Sequence, residues 1–194
     1  MSVAERRSIL IFTEGKKTEP IYLQHWYRLH RDRAIVVIDE FHGGPLQLVE
    51  TACARKQADL REKKRGRGDT FDEYWCVFDV DEHHNLDQAV ELAFKGGISI
   101  AVSNPCIELW FMIHFKDQWA GLHRHDAQDR AEELLGCGKA PTVKALELLV
   151  DRHDVAVSRA QALDKKHDGD GSPPRSNPST DLWRLIQKIR SPST

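Results

Sequence analysis

What this sequence lacks narrows the field first. None of its apolar runs approaches the roughly 20 residues that a membrane-spanning helix needs, and the stretch after Met1 has no apolar core of the kind a secretion signal carries. These absences lead us to expect a cytoplasmic protein with no membrane partner. Cysteine is scarce and scattered: Cys53, Cys76, Cys106 and Cys137 include no Cys-x-x-Cys pair. That spacing argues against a zinc ribbon and against a dithiol redox motif, and it predicts buried free thiols. An excess of one charge is also missing. With 28 Lys and Arg against 30 Asp and Glu, the formal net charge is −2, so any hold on nucleic acid must come from a local patch. Tyrosine occurs only as Tyr22, Tyr27 and Tyr74, each inside a predicted element, which disfavours strand passage through a tyrosine ester. Internal repeats are absent, so a solenoid is excluded.

What is present is an alternation. Apolar runs at 8–13, 34–39, 74–78 and 98–102 have strand composition and are too apolar to be half exposed, as expected of buried parallel strands. Between them lie helical patterns. One starts near Thr18, read as its N-cap, with Pro20 in the first turn and Ile21, Tyr22, Trp26 and Leu29 on one face. A second opens at Pro45 and runs to Lys64; a third covers 86–95 and stops at Gly96-Gly97. The alternation predicts an α/β fold with a mostly parallel, Rossmann-like four-stranded sheet flanked by helices. After the fourth strand, Ser103 or Asn104 is expected to cap an apolar helix that begins at Pro105 and includes His114, read as a core or capping histidine. The strand signal then disappears. Helices are predicted at 124–135, 142–151 and 155–166, then a turn-rich loop at 168–175 and an amphipathic helix bearing Leu182, Trp183, Leu185, Ile186 and Ile189. We expect an α/β domain over 1–118 and a helical extension over 119–194.

The chemistry concentrates at strand ends. In Asp79-Val80-Asp81 the two acids are two residues apart, so in an extended strand they share one face. Glu14 follows the first strand, and the crevice at the carboxyl ends of the strands is where open α/β sheets bind ligands. If the two strands are parallel neighbours, Glu14, Asp79 and Asp81 meet there. Their mutual repulsion calls for a raised pKa or a divalent cation. Mg²⁺, or Mn²⁺, suits an all-oxygen set and would assist attack on a phosphate. Glu82, His83, His84 and Asn85 follow, either as further ligands or as the cap of the next helix. Glu108 stands in the first turns of the apolar helix, either to complement its positive end or to reach the same cation.

Positive charge flanks these acids. Gly15 lets the backbone approach a phosphate, with Lys16 and Lys17 beside it as phosphate-binding or merely solvated residues. Lys63, Lys64, Arg65 and Arg67 form the densest basic cluster, just before the strand that carries Asp79. They are read either as a solvated face or as a hold on a nucleic-acid backbone.

Taken together, Thr13-Glu14-Gly15 with Thr18-Glu19, Phe78-Asp79-Val80-Asp81, Ser103-Asn104-Pro105-Cys106-Ile107-Glu108-Leu109-Trp110 with His114, and Asn177-Pro178-Ser179-Thr180 resemble the RloB-like family. A glutamate after the first strand and a later Asp-x-Asp are also the signature of the Toprim domain of topoisomerases, primases and small nucleases. The resemblance covers nearly the whole chain. It implies a Toprim fold with a helical extension and a place in a bacterial or archaeal antiviral defence system of the abortive-infection type, beside an ABC-type ATPase. It also implies a metal-dependent endonuclease with RNA, including transfer RNA, as the favoured target. Glu14 becomes the catalytic glutamate or a metal ligand, Asp79 and Asp81 the ligands of Mg²⁺ or Mn²⁺, and Glu108 and Asn104 additional site positions. Two alternatives stay open: a DNA nuclease of the same fold, and a non-catalytic regulatory or sensing partner of the ATPase, either of them in a homo-oligomer.

Overall fold

The computed structural model describes residues 6–40, 43–80 and 85–191, with backbone alone at 40. Asp81, Glu82, His83 and His84 lie outside the described residues, and so does His42.

The unbroken apolar run Ile9–Phe12 becomes the centre of β1 (Arg7–Thr13), and all four side chains are fully buried. It can be apolar on both faces because β1 is an inner strand, parallel to β2 (Ala34–Glu40) on one side and to β3 (Glu73–Asp79) on the other. Strand β4 (Ser99–Asn104) and a short β5 (Ser179–Thr180) complete the order β2-β1-β3-β4-β5. Edge strand β2 alternates, with Ala34 and Val36 buried and Ile35 and Val37 37% and 42% exposed. The α/β, mostly parallel architecture is as expected, but the sheet has five strands rather than four. The fifth is two residues long, too short to show periodicity. It pairs antiparallel with β4 through Ser103 with Thr180 and Asn104 with Ser179, and the two hydroxyls of Ser103 and Thr180 share a hydrogen bond of 2.9 Å.

The helices are α1 (Thr18–Leu29), α2 (Pro45–Lys64), α3 (Leu86–Gly96), α4 (Ile107–Ile113), α5 (Arg124–Leu135), α6 (Val143–Asp151), α7 (His153–Asp170) and α8 (Leu182–Arg190). The chain divides into two compact units. The first takes the described residues up to Val77, α3 with the chain to Ile100, and the chain from Leu185 on. Its core is β1 with Tyr22, Leu23 and Trp26 of α1, Leu48, Val49 and Ala52 of α2, Ala89 and Ala93 of α3, and Leu185, Ile186 and Ile189 of α8. Helices α2 and α3 approach closely because Gly96 leaves room for Cys53; a Cβ at Gly96 would overlap the Cys53 sulfur. The end of α8 is fastened by Arg7, whose Nη1 donates to Lys188 O at 3.3 Å, and by Arg33, which donates to Arg190 O at 2.8 Å.

The second unit takes 78–80 and Ala101 to Arg184. At its centre is α4, where Ile107 and every residue from Leu109 to Ile113 are buried, as an all-apolar helix requires. Helices α5 and α7 pack on it. Helix α6 is capped by Thr142, whose Oγ1 accepts from Ala145 N–H at 3.3 Å. The units therefore do not follow the expected division at residue 118. Residues 101–118 form the middle of the second unit, and the apolar stripe of α8 from Leu185 on completes the core of the first.

Candidate functional site

In the first unit the site begins where β1 ends. Thr13 stands in register with Val77, and the Glu14 N–H donates to Val77 O at 3.1 Å, carrying the ladder one residue past the strand. Thr13 Oγ1 then donates to Gly15 O at 3.0 Å and closes the turn. A Cβ on Gly15 would lie 2.7 Å from the Glu19 carboxyl carbon, so any larger residue here must displace the Glu19 carboxylate that packs over the turn. Glu19 is only 7% exposed, in the first turn of α1. Glu19 belongs to the family-like pattern, but reading the sequence gave it no role in the site, because the helix dipole explains an acid at a helix start. Thr18 is not the cap: α1 starts at Thr18, Lys17 occupies the cap position without a side-chain bond, and Thr18 is buried. Lys16 and Lys17 are exposed in the same turn as Glu14.

In the second unit Asp79, half-buried, is the last residue of β3, and the next residue, Val80, donates its N–H to Ser103 O of β4 at 2.9 Å. Helix α4 starts at Ile107, two residues later than predicted, because β4 continues through Asn104 and Cys106 takes the cap position. Glu108 thereby lands in the first turn, half-buried. Burial pushes the Cys106 thiol well above its ordinary pKa, and the negative charges of Glu108 and Asp79 push it further. The charges of two carboxylates from different elements are thus felt at one thiol, and Cys106 Sγ lies 3.9 Å from the Arg124 carbonyl oxygen. Asn104 Nδ2 donates to Arg175 O at 2.7 Å. Asn177 binds Leu122 twice, accepting from its N–H at 3.0 Å and donating to its O at 2.8 Å. Both Asn104-Pro105 and Asn177-Pro178 are cis. His114 is a core residue, 1% exposed, with Nδ1 donating to Trp110 O at 2.7 Å.

The basic cluster goes elsewhere. Lys63 and Lys64 end α2, while Arg65 and Arg67 both pair with Glu62 at 3.0 Å. From there the chain enters β3 at its start, where Asp72 accepts from Ser8 N–H at 2.7 Å beside the first residues of β1. A seven-residue strand is about 20 Å long, so Lys63, Lys64, Arg65 and Arg67, which precede β3, lie toward the end of the strands opposite Glu14.

Among the described residues no group of three His, Cys, Asp or Glu is placed to hold a metal ion, and Asp81 lies outside them. Asp79 and Glu108 nevertheless fit Mg²⁺ or Mn²⁺ by their chemistry: they are hard oxygen donors, and Mg²⁺ is commonly held by one or two carboxylates plus waters and substrate phosphate. No helix among the described residues is long and apolar enough to cross a membrane. A family model described as RloB-like protein matches residues 9–189. No curated protein matches the chain.

Proposed function

Starting from the fact that this chain belongs to the RloB-like family, we propose that it is a metal-dependent endonuclease of Toprim type, serving an antiviral defence system and cutting RNA in preference to DNA. The observation that supports this reading most is the pair of carboxylates, Asp79 from a strand end and Glu108 from the next helix, bearing on the same thiol. Like charges brought toward one point repel, and a divalent cation relieves the repulsion. Asp79 and Glu108 would hold it, with Asp81 as a further oxygen donor. When bound, Mg²⁺ or Mn²⁺ supplies Lewis-acid polarisation of a phosphate oxygen.

The chain's own groups do the rest. Glu14, held at the end of β1 by its bond to Val77, accepts the proton of the attacking water as the new P–O bond forms and the bond to the leaving oxygen breaks. Lys16 and Lys17, exposed in that turn, hold the strand's phosphates. Asn104 ties the end of β4 to the loop before β5, its Nδ2 donating to Arg175 O. The alternative of a non-catalytic partner that uses its last helix for assembly loses its candidate surface, since Leu182, Leu185, Ile186 and Ile189 are core residues.

The test is cleavage of labelled total RNA, transfer RNA, single-stranded DNA and duplex DNA with Mg²⁺, Mn²⁺ or EDTA, with and without the ABC-type ATPase and nucleotide. Metal-dependent cutting of RNA, lost in Glu14→Ala and in Asp79→Asn, is the expected result. No cutting of any substrate under any of these conditions would refute the proposal.

A further inference from the structure

The second unit contains a cavity of about 420 Å³ that the carboxylates do not account for. Asn104 and Pro105 at the end of β4 form one wall, residues 122–125 at the start of α5 another, and Asn177 the third. Its volume falls within the roughly 300–1,000 Å³ typical of small-ligand sites.

The lining is built for an anion that carries a ring. Arg124, half-buried, brings a permanent guanidinium charge to the lining. His123 and His125 flank it, their rings 5.2 Å apart and tilted by 35°, and both are exposed on the open side. Imidazole faces and guanidinium planes are surfaces on which unstacked bases settle, while a guanidinium is the preferred fork for a phosphate. The walls are held firm. Asn177 clamps both backbone groups of Leu122, Asn104 is tied to Arg175, and His123 Nδ1 accepts from His125 N–H at 3.3 Å. Such preorganisation reduces the entropy lost on binding. The cavity also has a definite neighbour: the Arg124 carbonyl oxygen lies 3.9 Å from Sγ of Cys106, the cap residue of the helix that carries Glu108 in its first turn.

We infer that this cavity is a nucleotide subsite. It receives one unstacked nucleotide of a single RNA strand, its phosphate on Arg124 and its base against His123 and His125, so that the adjoining phosphodiester is presented to Asp79 and Glu108. The inference rests on the nuclease reading for its link to cleavage, but the binding it describes is testable alone. Asn104, Pro105 and Asn177 belong to the family-like pattern, but residues 122–125 carried no motif, so the cavity itself was not legible in the sequence.

The experiment measures binding of a labelled single-stranded RNA oligonucleotide, of nucleoside 5′-monophosphates and of inorganic phosphate, in EDTA so that no cutting occurs. The proteins compared are the full chain, Arg124→Gln and His125→Ala. The expected result is a loss of about tenfold in RNA and nucleotide affinity for Arg124→Gln, as a charge-assisted fork is removed. His125→Ala, an exposed position whose change leaves the fold intact, should lose about threefold to tenfold as one stacking surface goes. Inorganic phosphate should bind far more weakly than the nucleotides. Unchanged RNA and nucleotide affinity in His125→Ala and in folded Arg124→Gln overturns the subsite, as does inorganic phosphate binding as tightly as a nucleotide. Cleavage in Mg²⁺ separates the two readings. Cutting with unaltered KM in both variants removes the subsite and keeps the nuclease; nucleotide binding lost in the variants, with no cutting by any protein, keeps the subsite and removes the nuclease.

Discussion

Acid should weaken this protein through one histidine, and the size of the effect can be worked out. His114 is buried beneath Trp110, whose ring lies 4.6 Å away edge-on, and beside His153 at 6.5 Å. Burial drives its pKa from 6.5 down to about 3, the Trp110 carbonyl partly resists that fall, and the charges of His153, Arg159 and Arg152 add to it. The folded protein therefore keeps His114 neutral through a range in which the unfolded chain binds a proton. The unfolded state holds more protons below pH 6.5, so stability is full above that value and falls as pH drops toward 3. Between pH values of about 7.5 and about 5, linkage gives a loss of roughly 2 kcal/mol from this residue alone. That is a large share of the roughly 5–15 kcal/mol that holds a domain together. The assay is urea unfolding followed by tryptophan fluorescence at the two pH values, for the parent chain and for His114→Gln, which cannot titrate. The variant is expected to lose about 2 kcal/mol less than the parent between the two pH values, whatever its absolute stability. An equal loss in both proteins would refute the assignment of a neutral, buried His114.

Three further outcomes follow from packing. Gly15→Ala must expel the Glu19 carboxylate from its place over the turn, so melting should drop by the equivalent of about 1–3 kcal/mol, and RNA cutting should fall with the loss of Glu14 geometry; a variant with unchanged melting and activity would contradict the packing described. Leu185→Ala removes a fully buried side chain and should cost about 2–5 kcal/mol in denaturant unfolding, whereas an exposed residue would cost nearly nothing. Cys76 and Cys106 are fully buried, with thiols pushed up chiefly by burial. Alkylation at mildly basic pH followed by peptide mass spectrometry should leave both unmodified in native protein and label them in urea; rapid native labelling of Cys106 would count against its enclosure.

The parts of the fold that sequence disclosed are those in which burial on both faces writes a continuous apolar signal. Ile9–Phe12 and the all-apolar α4 are the clearest. Ser179–Thr180 wrote no such signal, because a two-residue strand has no period to read. The start of α4 was misplaced because Pro105 is a good first helical residue, yet here it follows a strand that runs on through Asn104. The basic cluster is the instructive case. Lys63 to Arg67 are close to Asp79 in sequence, but what precedes a strand sits at its start, and Asp79 is at its end. Adjacency in the chain therefore became separation by the length of β3. Glu14 and Asp79 were legible because strand ends are marked by the switch from apolar to acidic. Glu19 was not, since an acid at a helix start has an ordinary explanation.

The path of the chain has a consequence for how the protein is born. Leu185, Ile186 and Ile189 are fully buried in the core of the first unit, yet ribosomes make them only after the 84 residues from Ala101 to Arg184 of the second. At roughly 5–20 residues per second, that interval lasts about 4–17 s. During it the sheet that carries Glu14 stands without the helix that closes it, so the first unit cannot mature before residue 189 has been made. A chain proposed to cut RNA thus emerges from the ribosome, beside messenger and transfer RNA, in an unfinished form, and its competence arrives only once translation has passed residue 189.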